Sequence, residues 1–400
     1  DGKAGADCGP STELRSAGHD AVRDAGMHGL DHVVNVLVVA LISGGHVLLE
    51  GNPGLGKTAL VKALSQALGL GREAVGRIQF TPDLMPADIT GSLMPRDDNS
   101  MQLEFREGPI FHELLLADEI NRATPKTQAA MLEAMAEFQV TVLGERKPLR
   151  KAESVGNGRT ALTPFMVMAT QNPIDQDGTF DLPEAQLDRF MFKVRMRMPG
   201  ADTIARIVDK ELSAQPAGAG GQEDVADRQK ALRALEQAGA GTMAHVLPPS
   251  VRAHILNIVM ASNGEMDQVQ AVSRTRLKAL EDLTSRVEYP FGPRAAITLA
   301  KAVLGWSACV LTERDRPSEL GAAARTALAQ VLVPCLRHRI RIRHTYDNGF
   351  GGAGAEADAV DAFVRDLALA AAPDGRIESD TGDYHKRFEG DLKAAVGLHL

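Results

Sequence analysis

Eight consecutive residues, Gly51-Asn52-Pro53-Gly54-Leu55-Gly56-Lys57-Thr58, carry the spacing GxxxxGK[ST]. Glycines at those positions let the backbone curl and aim its N–H groups at phosphate oxygens. Lys57 is long enough to reach the outer phosphates. Thr58 supplies a hydroxyl for a divalent cation, and Ala59 follows it in what reads as a first helical turn. An apolar run, His46-Val47-Leu48-Leu49-Glu50, precedes the segment, and a helical pattern over Thr58–Leu68 follows it. Strand, glycine turn and helix together form the context that such a loop requires.

A second segment, Leu114-Leu115-Leu116-Ala117-Asp118-Glu119, is a buried-strand pattern that ends in two acids. The edge where parallel strands end is where α/β folds bind ligands. There Asp118 would hold the cation's shell and Glu119 would take a proton from attacking water. A third strand pattern, Phe165–Ala169, leads into Thr170-Gln171-Asn172-Pro173. Asn172 at that tip either orients water or caps the turn before Pro173.

These groups need a scaffold. Apolar patterning predicts a buried helix over 29–43, halted by Gly44-Gly45, and strands over 46–50, 75–80, 114–117, 165–169 and 190–196. Thr124–Phe138 has helical spacing of Ala, Met and Leu. Val140–Leu143 is β-prone and suits a hairpin with a later segment. Alternation of strands and helices as far as about residue 200 predicts a largely parallel sheet covered on both faces. Beyond Met198-Pro199-Gly200 helical stretches dominate. Residues 1–25 read as an arm or weak helix, 26–200 as an α/β domain, 201–348 as a helical domain and 349–400 as a tail behind the glycine-rich break at Gly349–Gly354.

Several longer runs are similar to the MoxR family of AAA+ ATPases. They are Asp118-Glu119-Ile120-Asn121-Arg122-Ala123 with Pro125-Lys126-Thr127-Gln128, Arg77-Ile78-Gln79-Phe80-Thr81-Pro82-Asp83-Leu84, Asp88-Ile89-Thr90-Gly91-Ser92, Phe105-Arg106-Glu107-Gly108-Pro109, and Leu182-Pro183-Glu184-Ala185-Gln186-Leu187-Asp188-Arg189-Phe190. The likeness is dense over about 27–200 and thins afterwards to Gly292-Pro293-Arg294-Ala295 and Leu336-Arg337-His338-Arg339.

The resemblance implies an α/β P-loop AAA+ sheet flanked by helices, followed by a smaller, mostly helical lid. It implies ATP and Mg²⁺ as cofactors and Asn172 as the sensor-1 residue. Arg189 would be a finger entering the neighbouring subunit's site, worth roughly 10³–10⁵ in rate where such fingers are measured. Arg294 would reach nucleotide from the lid of its own subunit. Read without the resemblance, Arg189 beside Asp188 is a surface ion pair, and Arg294 lies at an exposed helix start. Residues 81–104 and 139–163 stand where the family carries an insert and a hairpin, and the prolines in the first forbid one long helix. Gly292 departs from the family's usual Ser, and Ala271–Val287 reads as an extra or altered lid helix.

Composition bounds the function. A net charge of -8 argues against a broad grip on nucleic acid or anionic lipid. The cysteines (Cys8, Cys309 and Cys335) show no metal-ligand or disulfide spacing. The longest apolar run, Val33–Ile42, is too short to span a bilayer, and no secretory pattern opens the chain. A cytoplasmic protein without membrane insertion is the expectation. The basic run Arg337–His344 reads as a strand with one charged face, suited to nucleic acid or an acidic partner, with a solvated face or contact with an acidic neighbouring subunit as the preferred reading and His338 and His344 at the surface. The resemblance implies a homo-oligomeric ring, a hexamer, that remodels a client protein, often one with a von Willebrand factor A domain. A magnesium-chelatase-type motor subunit and an ATP-gated scaffold with little hydrolysis are the alternatives.

Overall fold

The computed structural model describes residues 10–24, 27, 29–51, 55–70, 73–95, 103–142, 144–172, 179–196, 198, 200–205, 225–244, 246–311, 317–343, 353–375 and 383–399. The chain divides into two compact units. One is Leu14–Phe190 with Val194–Gln237, and the other is Asp1–Glu13, Met191–Lys193 and Ala238–Leu400.

The first unit is built on a five-stranded sheet. Its strands are β1 (Val47–Glu50), β2 (Val75–Gln79), β5 (Leu114–Asp118), β10 (Met166–Gln171) and β11 (Phe192–Arg195), in the order β11-β1-β10-β5-β2. The pairs β1–β10, β10–β5 and β5–β2 are all parallel. Every residue of β5 is buried, as expected of a central parallel strand covered on both faces. Register places Glu50 opposite Gln171, Ala169 opposite Ala117, and Gln79 opposite Asp118. The C-terminal ends of these strands therefore share one edge.

Helix α2 (Asp31–Ile42) is apolar all round and accordingly buried over most of its length. It stops where Gly44 takes a φ of 67°. Helix α3 (Lys57–Ala67) follows β1, and α5 (Pro125–Glu137) follows β5 with Pro125 in its first turn. Leu48, Phe80, Leu115, Ile120, Met131, Met135, Phe165 and Phe190 belong to one continuous buried cluster of this unit.

The prolines of 81–104 act as expected. The segment breaks into a short helix α4 (Pro86–Thr90) and a strand β3 (Gly91–Pro95) paired with β4 (Leu103–Glu107). Gly91 sits at φ 98° with an added Cβ only 2.2 Å from the Arg106 carbonyl oxygen, so this crossing admits only glycine. Of the β-prone 140–143, residues 140–142 lie in a hairpin, β6 (Gln139–Val142) with β7 (Glu145–Pro148), and Leu143 lies outside the described residues; a second hairpin joins β8 (Ala152–Gly156) to β9 (Arg159–Leu162). At the N-terminal side, residues Pro10–Asp24 form a regular helix, α1, with Leu14 and Val22 buried.

The second unit is mostly helical. Its helices are Pro249–Ser262, Arg274–Thr284, Pro293–Val310, Pro317–Leu336, Ala353–Ala371 and Tyr384–His399, with a small antiparallel ribbon of Val287–Tyr289 and Arg341–Ile342. The last two helices lie in the segment read from sequence as a tail. They bury Phe363, Leu367 and Phe388, and His254 donates or accepts through both ring nitrogens to Tyr384 and the Ala368 carbonyl.

The basic run at 337–344 is not a strand with one charged face. Among the described residues of the run, only Arg341 and Ile342 pair as β structure. Arg337 is ion-paired with Asp361 at 2.9 Å, Arg339 is buried and bonded to the Cys335 carbonyl, and His338 is 6% exposed rather than a surface residue. The run continues directly from the end of helix Pro317–Leu336, so Arg339 reaches back to a helix-end carbonyl while Arg337 meets the Asp361 carboxylate. His344 lies outside the described residues. Cys309 and Cys335 are buried free thiols.

Candidate functional site

The shared sheet edge gathers most of the chemistry. Gly51 ends β1, and its N–H donates to the Gln171 carbonyl at the end of β10 at 3.2 Å. A Cβ on Gly51 would lie 2.8 Å from the Met196 carbonyl oxygen, so the strand end has no room for a side chain. Gly56 precedes α3 with φ 73°, a left-handed conformation that glycine adopts at little cost. Lys57 opens the helix, followed by half-buried Thr58 and exposed Ala59, and Leu55 is half-buried. Asn52, Pro53 and Gly54 lie outside the described residues.

Lys57 Nζ donates to the Gly51 carbonyl at 2.6 Å, folding the side chain back across the turn. Partial burial depresses its pKa, while Asp118, Glu119 and Glu50 pull in the opposite direction. Those three acids thus share an electrostatic neighbourhood with the lysine. The N-terminal end of an 11-residue helix adds a positive dipole end to the same spot.

Asp118 and Glu119 leave β5 differently. Asp118 is the last strand residue and is buried. Its Oδ2 accepts from Arg77 Nε at 2.8 Å and lies 2.7 Å from Arg77 Nη2. Its Oδ1 accepts from Thr170 Oγ1 at 3.3 Å. Glu119 then turns into the left-handed region, φ 56° and ψ 51°, which is uncommon for a residue with a long side chain. Its N–H donates to Thr170 Oγ1 at 2.9 Å, and its carboxylate is 3.0 Å from Arg122 Nη1. One threonine hydroxyl therefore fixes both acids, accepting from one backbone and donating to the other side chain.

Below the two acids, Gln128 on α5 is wholly buried. Its Nε2 lies within hydrogen-bond distance of the carbonyls of Ile120, Ala123 and Phe180. It ties the turn after Glu119 to the segment that leads toward Arg189. Asn172 is half-buried and directly follows β10. Arg189 follows the short helix α6 (Glu184–Leu187), and its Nη1 donates to the Leu132 carbonyl of α5 at 2.5 Å. Arg294 is exposed in the first turn of helix Pro293–Val310, within the helical unit.

Gly51, Lys57, Asp118, Glu119 and Asn172 thus belong to one strand edge, whereas Arg189 is turned onto its own α5. Sequence reading missed Thr170, Arg77 and Gln128 as parts of the site. Thr170 and Gln128 stood inside recognisable runs but carried no separate signal. Arg77 opened one of the family-like runs, with nothing in the sequence to single it out.

The donor set suits a nucleotide phosphate with a divalent cation. It offers a lysine and a helix start for phosphate oxygens, and a hydroxyl and a carboxylate, Thr58 and Asp118, as hard oxygen ligands. Glu119 is the acid beside them that is not needed as a ligand.

Comparison with known proteins agrees in kind. Residues 46–192 match the model of the ATPase family associated with various cellular activities (AAA). Chaperone MoxR1 of Mycobacterium tuberculosis is 33% identical over 321 residues, which is 80% of this chain and 73% of that protein. The uncharacterized protein YeaC of Bacillus subtilis is 45% identical over 190 residues, 48% of this chain, and that match spans only 54% of YeaC's own length. A solved structure of a candidate ATPase from Cytophaga hutchinsonii superposes with a TM-score of 0.63 at 27% identity, covering 89% of this chain and 96% of that one.

Proposed function

This chain belongs to the MoxR family of AAA+ ATPases, and we propose that it hydrolyses ATP with Mg²⁺ in a self-assembled ring to remodel or activate a client protein. The observation that carries this reading is the Thr170 hydroxyl, which sets Asp118 and Glu119 side by side in the electrostatic field of Lys57.

In this mechanism residues Gly51–Thr58, with Ala59 behind them, wrap the phosphates with backbone N–H groups. Lys57 leaves the Gly51 carbonyl for the β- and γ-phosphates. Thr58 and Asp118 would hold Mg²⁺, and the charge neutralisation that a divalent cation supplies would act there on the phosphate oxygens. Glu119 accepts a proton from water as the water oxygen bonds to the γ-phosphorus and the bond to the bridging oxygen breaks. Asn172 orients that water. Arg189 serves the neighbouring subunit's site, and Arg294 reaches nucleotide from the helical unit. No helix among the described residues is long and apolar enough to cross a membrane; the reading places the motor in the cytoplasm, without membrane insertion. The family resemblance supports a hexamer, a chaperone-like action and a client bearing a von Willebrand factor A domain as parts of this proposal. Recognition of nucleic acid is not part of this reading.

One specific observation favours a second reading, the ATP-gated scaffold. Asp118 and Glu119 are each paired with an arginine, Arg77 and Arg122. A site that kept those pairs with nucleotide bound would assemble without turnover. The magnesium-chelatase-type alternative finds less support, because the run from Arg77 to Ser92 is the MoxR-like one.

Phosphate release from Mg²⁺-ATP across a protein dilution series, with Glu119→Gln alongside, tests the proposal. Specific activity that rises with concentration, and a variant that binds ATP without turning it over, are the expected results. ATP binding without hydrolysis at any concentration would favour the scaffold.

A further inference from the structure

Arg77 lies on β2 two residues before the position registered with Asp118, and β2 alternates with Gly76 and Ile78 inward and Arg77 and Gln79 outward. Its guanidinium is directed diagonally across the strand pair, placing Nε and Nη2 on a single oxygen, Asp118 Oδ2. The Arg77 side chain is 56% exposed, and beside a long contact of Nη2 to Gln79 Oε1 at 3.4 Å the carboxylate is its short-range anchor. The other oxygen of Asp118 is already engaged by Thr170.

Charge gives this contact a consequence. Asp118, Glu119 and Glu50 all act on Lys57, so the sheet edge is acidic where a polyphosphate must dock. A nucleotide arriving without metal would face these carboxylates, and like charges at a few ångströms repel. A guanidinium fixed on Asp118 removes that repulsion at the nearest acid. When a divalent cation arrives, the same Oδ2 is among the oxygens it would claim, and Arg77 must yield it.

We propose that Arg77 is a positioning residue that neutralises the metal-binding carboxylate Asp118 in the metal-free site, and so sets how strongly nucleotide binding depends on magnesium. This rests on the assignment of the site to Mg²⁺-ATP and adds the residue that competes with the metal there.

The test is a titration of a fluorescent N-methylanthraniloyl ATP into wild-type protein and Arg77→Gln, in EDTA and in Mg²⁺. The readout is the ratio of the two dissociation constants, which needs no turnover. In Arg77→Gln the ratio is expected to rise by about fivefold or more, through weaker binding in EDTA. Arg77→Lys should recover part of the loss, since it restores the charge without the two-donor geometry. Added to Asp118→Asn, Arg77→Gln should leave the ratio where Asp118→Asn alone puts it. A ratio within twofold of wild type in Arg77→Gln overturns the proposal. So does an equal effect of Arg77→Gln with and without Asp118. Failure of the wild-type protein to bind nucleotide in either buffer would instead remove the nucleotide-site assignment itself.

Discussion

Arg189 and Leu132 are joined by a hydrogen bond from the guanidinium to the backbone carbonyl, 2.5 Å long and spanning 57 residues of sequence. A residue proposed to enter a neighbour's active site thus lies on its own α5, and on that proposal assembly would have to release it. A charge-assisted bond of this kind is worth about 1.5–3 kcal/mol, which a new contact with phosphate can offset.

Arg189→Ala is therefore expected to keep ATP affinity within about threefold and to lose roughly 10³ in turnover. Mixing it with Lys57→Ala should regain measurable activity, because each variant supplies what the other lacks across a subunit boundary. Phosphate release from the mixture checks this. Normal turnover by Arg189→Ala alone would end the finger assignment.

Thr170→Val removes one hydroxyl that serves both acids. Loss of its hydrogen bonds, each worth about 1 kcal/mol, predicts a drop in kcat on the order of tenfold. Binding in EDTA should change little, and Thr170→Ser should restore most of the rate. A Thr170→Val enzyme with unchanged kcat, measured under saturating ATP, would show that the hydroxyl does not position the acids.

Gly51→Ala forces a methyl group against the Met196 carbonyl, at 2.8 Å. The methyl is fixed directly to the main chain and the oxygen it meets is backbone, so neither can swing away. Destabilisation of about 1–3 kcal/mol is expected. ATP should no longer raise the melting temperature of this variant. Differential scanning fluorimetry with and without Mg²⁺-ATP reads both effects.

The α/β unit should weaken in acid through His46. This ring is buried between Phe138 and Phe165, accepts the Val167 N–H at Nδ1 and donates from Nε2 to the Met135 carbonyl. Burial lowers its pKa to about 4, against an ordinary value of 6.5. The unfolded chain thus binds a proton that the folded one refuses. Stability is complete above pH 6.5 and falls as pH drops toward 4, where this residue alone costs about 3 kcal/mol. Urea unfolding of the protein at pH 7 and pH 4.5, followed by hydrogen exchange at Val167, is the measurement. A Val167 amide equally protected at both would contradict the assignment.

In the helical unit, Arg337 and Asp361 form an ion pair with side chains 9% and 7% exposed. Arg337→Met leaves a buried carboxylate behind and is expected to cost about 3–5 kcal/mol. The double replacement Arg337→Met with Asp361→Leu should cost less than the single one. Chemical denaturation of the three proteins decides; a double variant weaker than the single would show that the pair is not coupled.

Much of this protein was legible in one dimension. The turn from Gly51 to Thr58, the acids after Leu114–Ala117 and the break-up of 81–104 by prolines are local matters, settled within a few residues by backbone freedom, apolar runs and helix starts. The parallel sheet and the helical second part followed from the order of those patterns. What the tertiary structure alone decided is which distant residues meet. Arg77 reaches Asp118 across 41 residues, Thr170 reaches Glu119 across 51, and Gln128 gathers carbonyls from both sides of the site. Arg337 and Arg339 were taken for a charged surface and are held inside. Strand register and helix packing select such partners. A polar side chain in sequence carries its chemistry with it, but whether it faces water, a carbonyl or a carboxylate is set by the neighbours that folding brings.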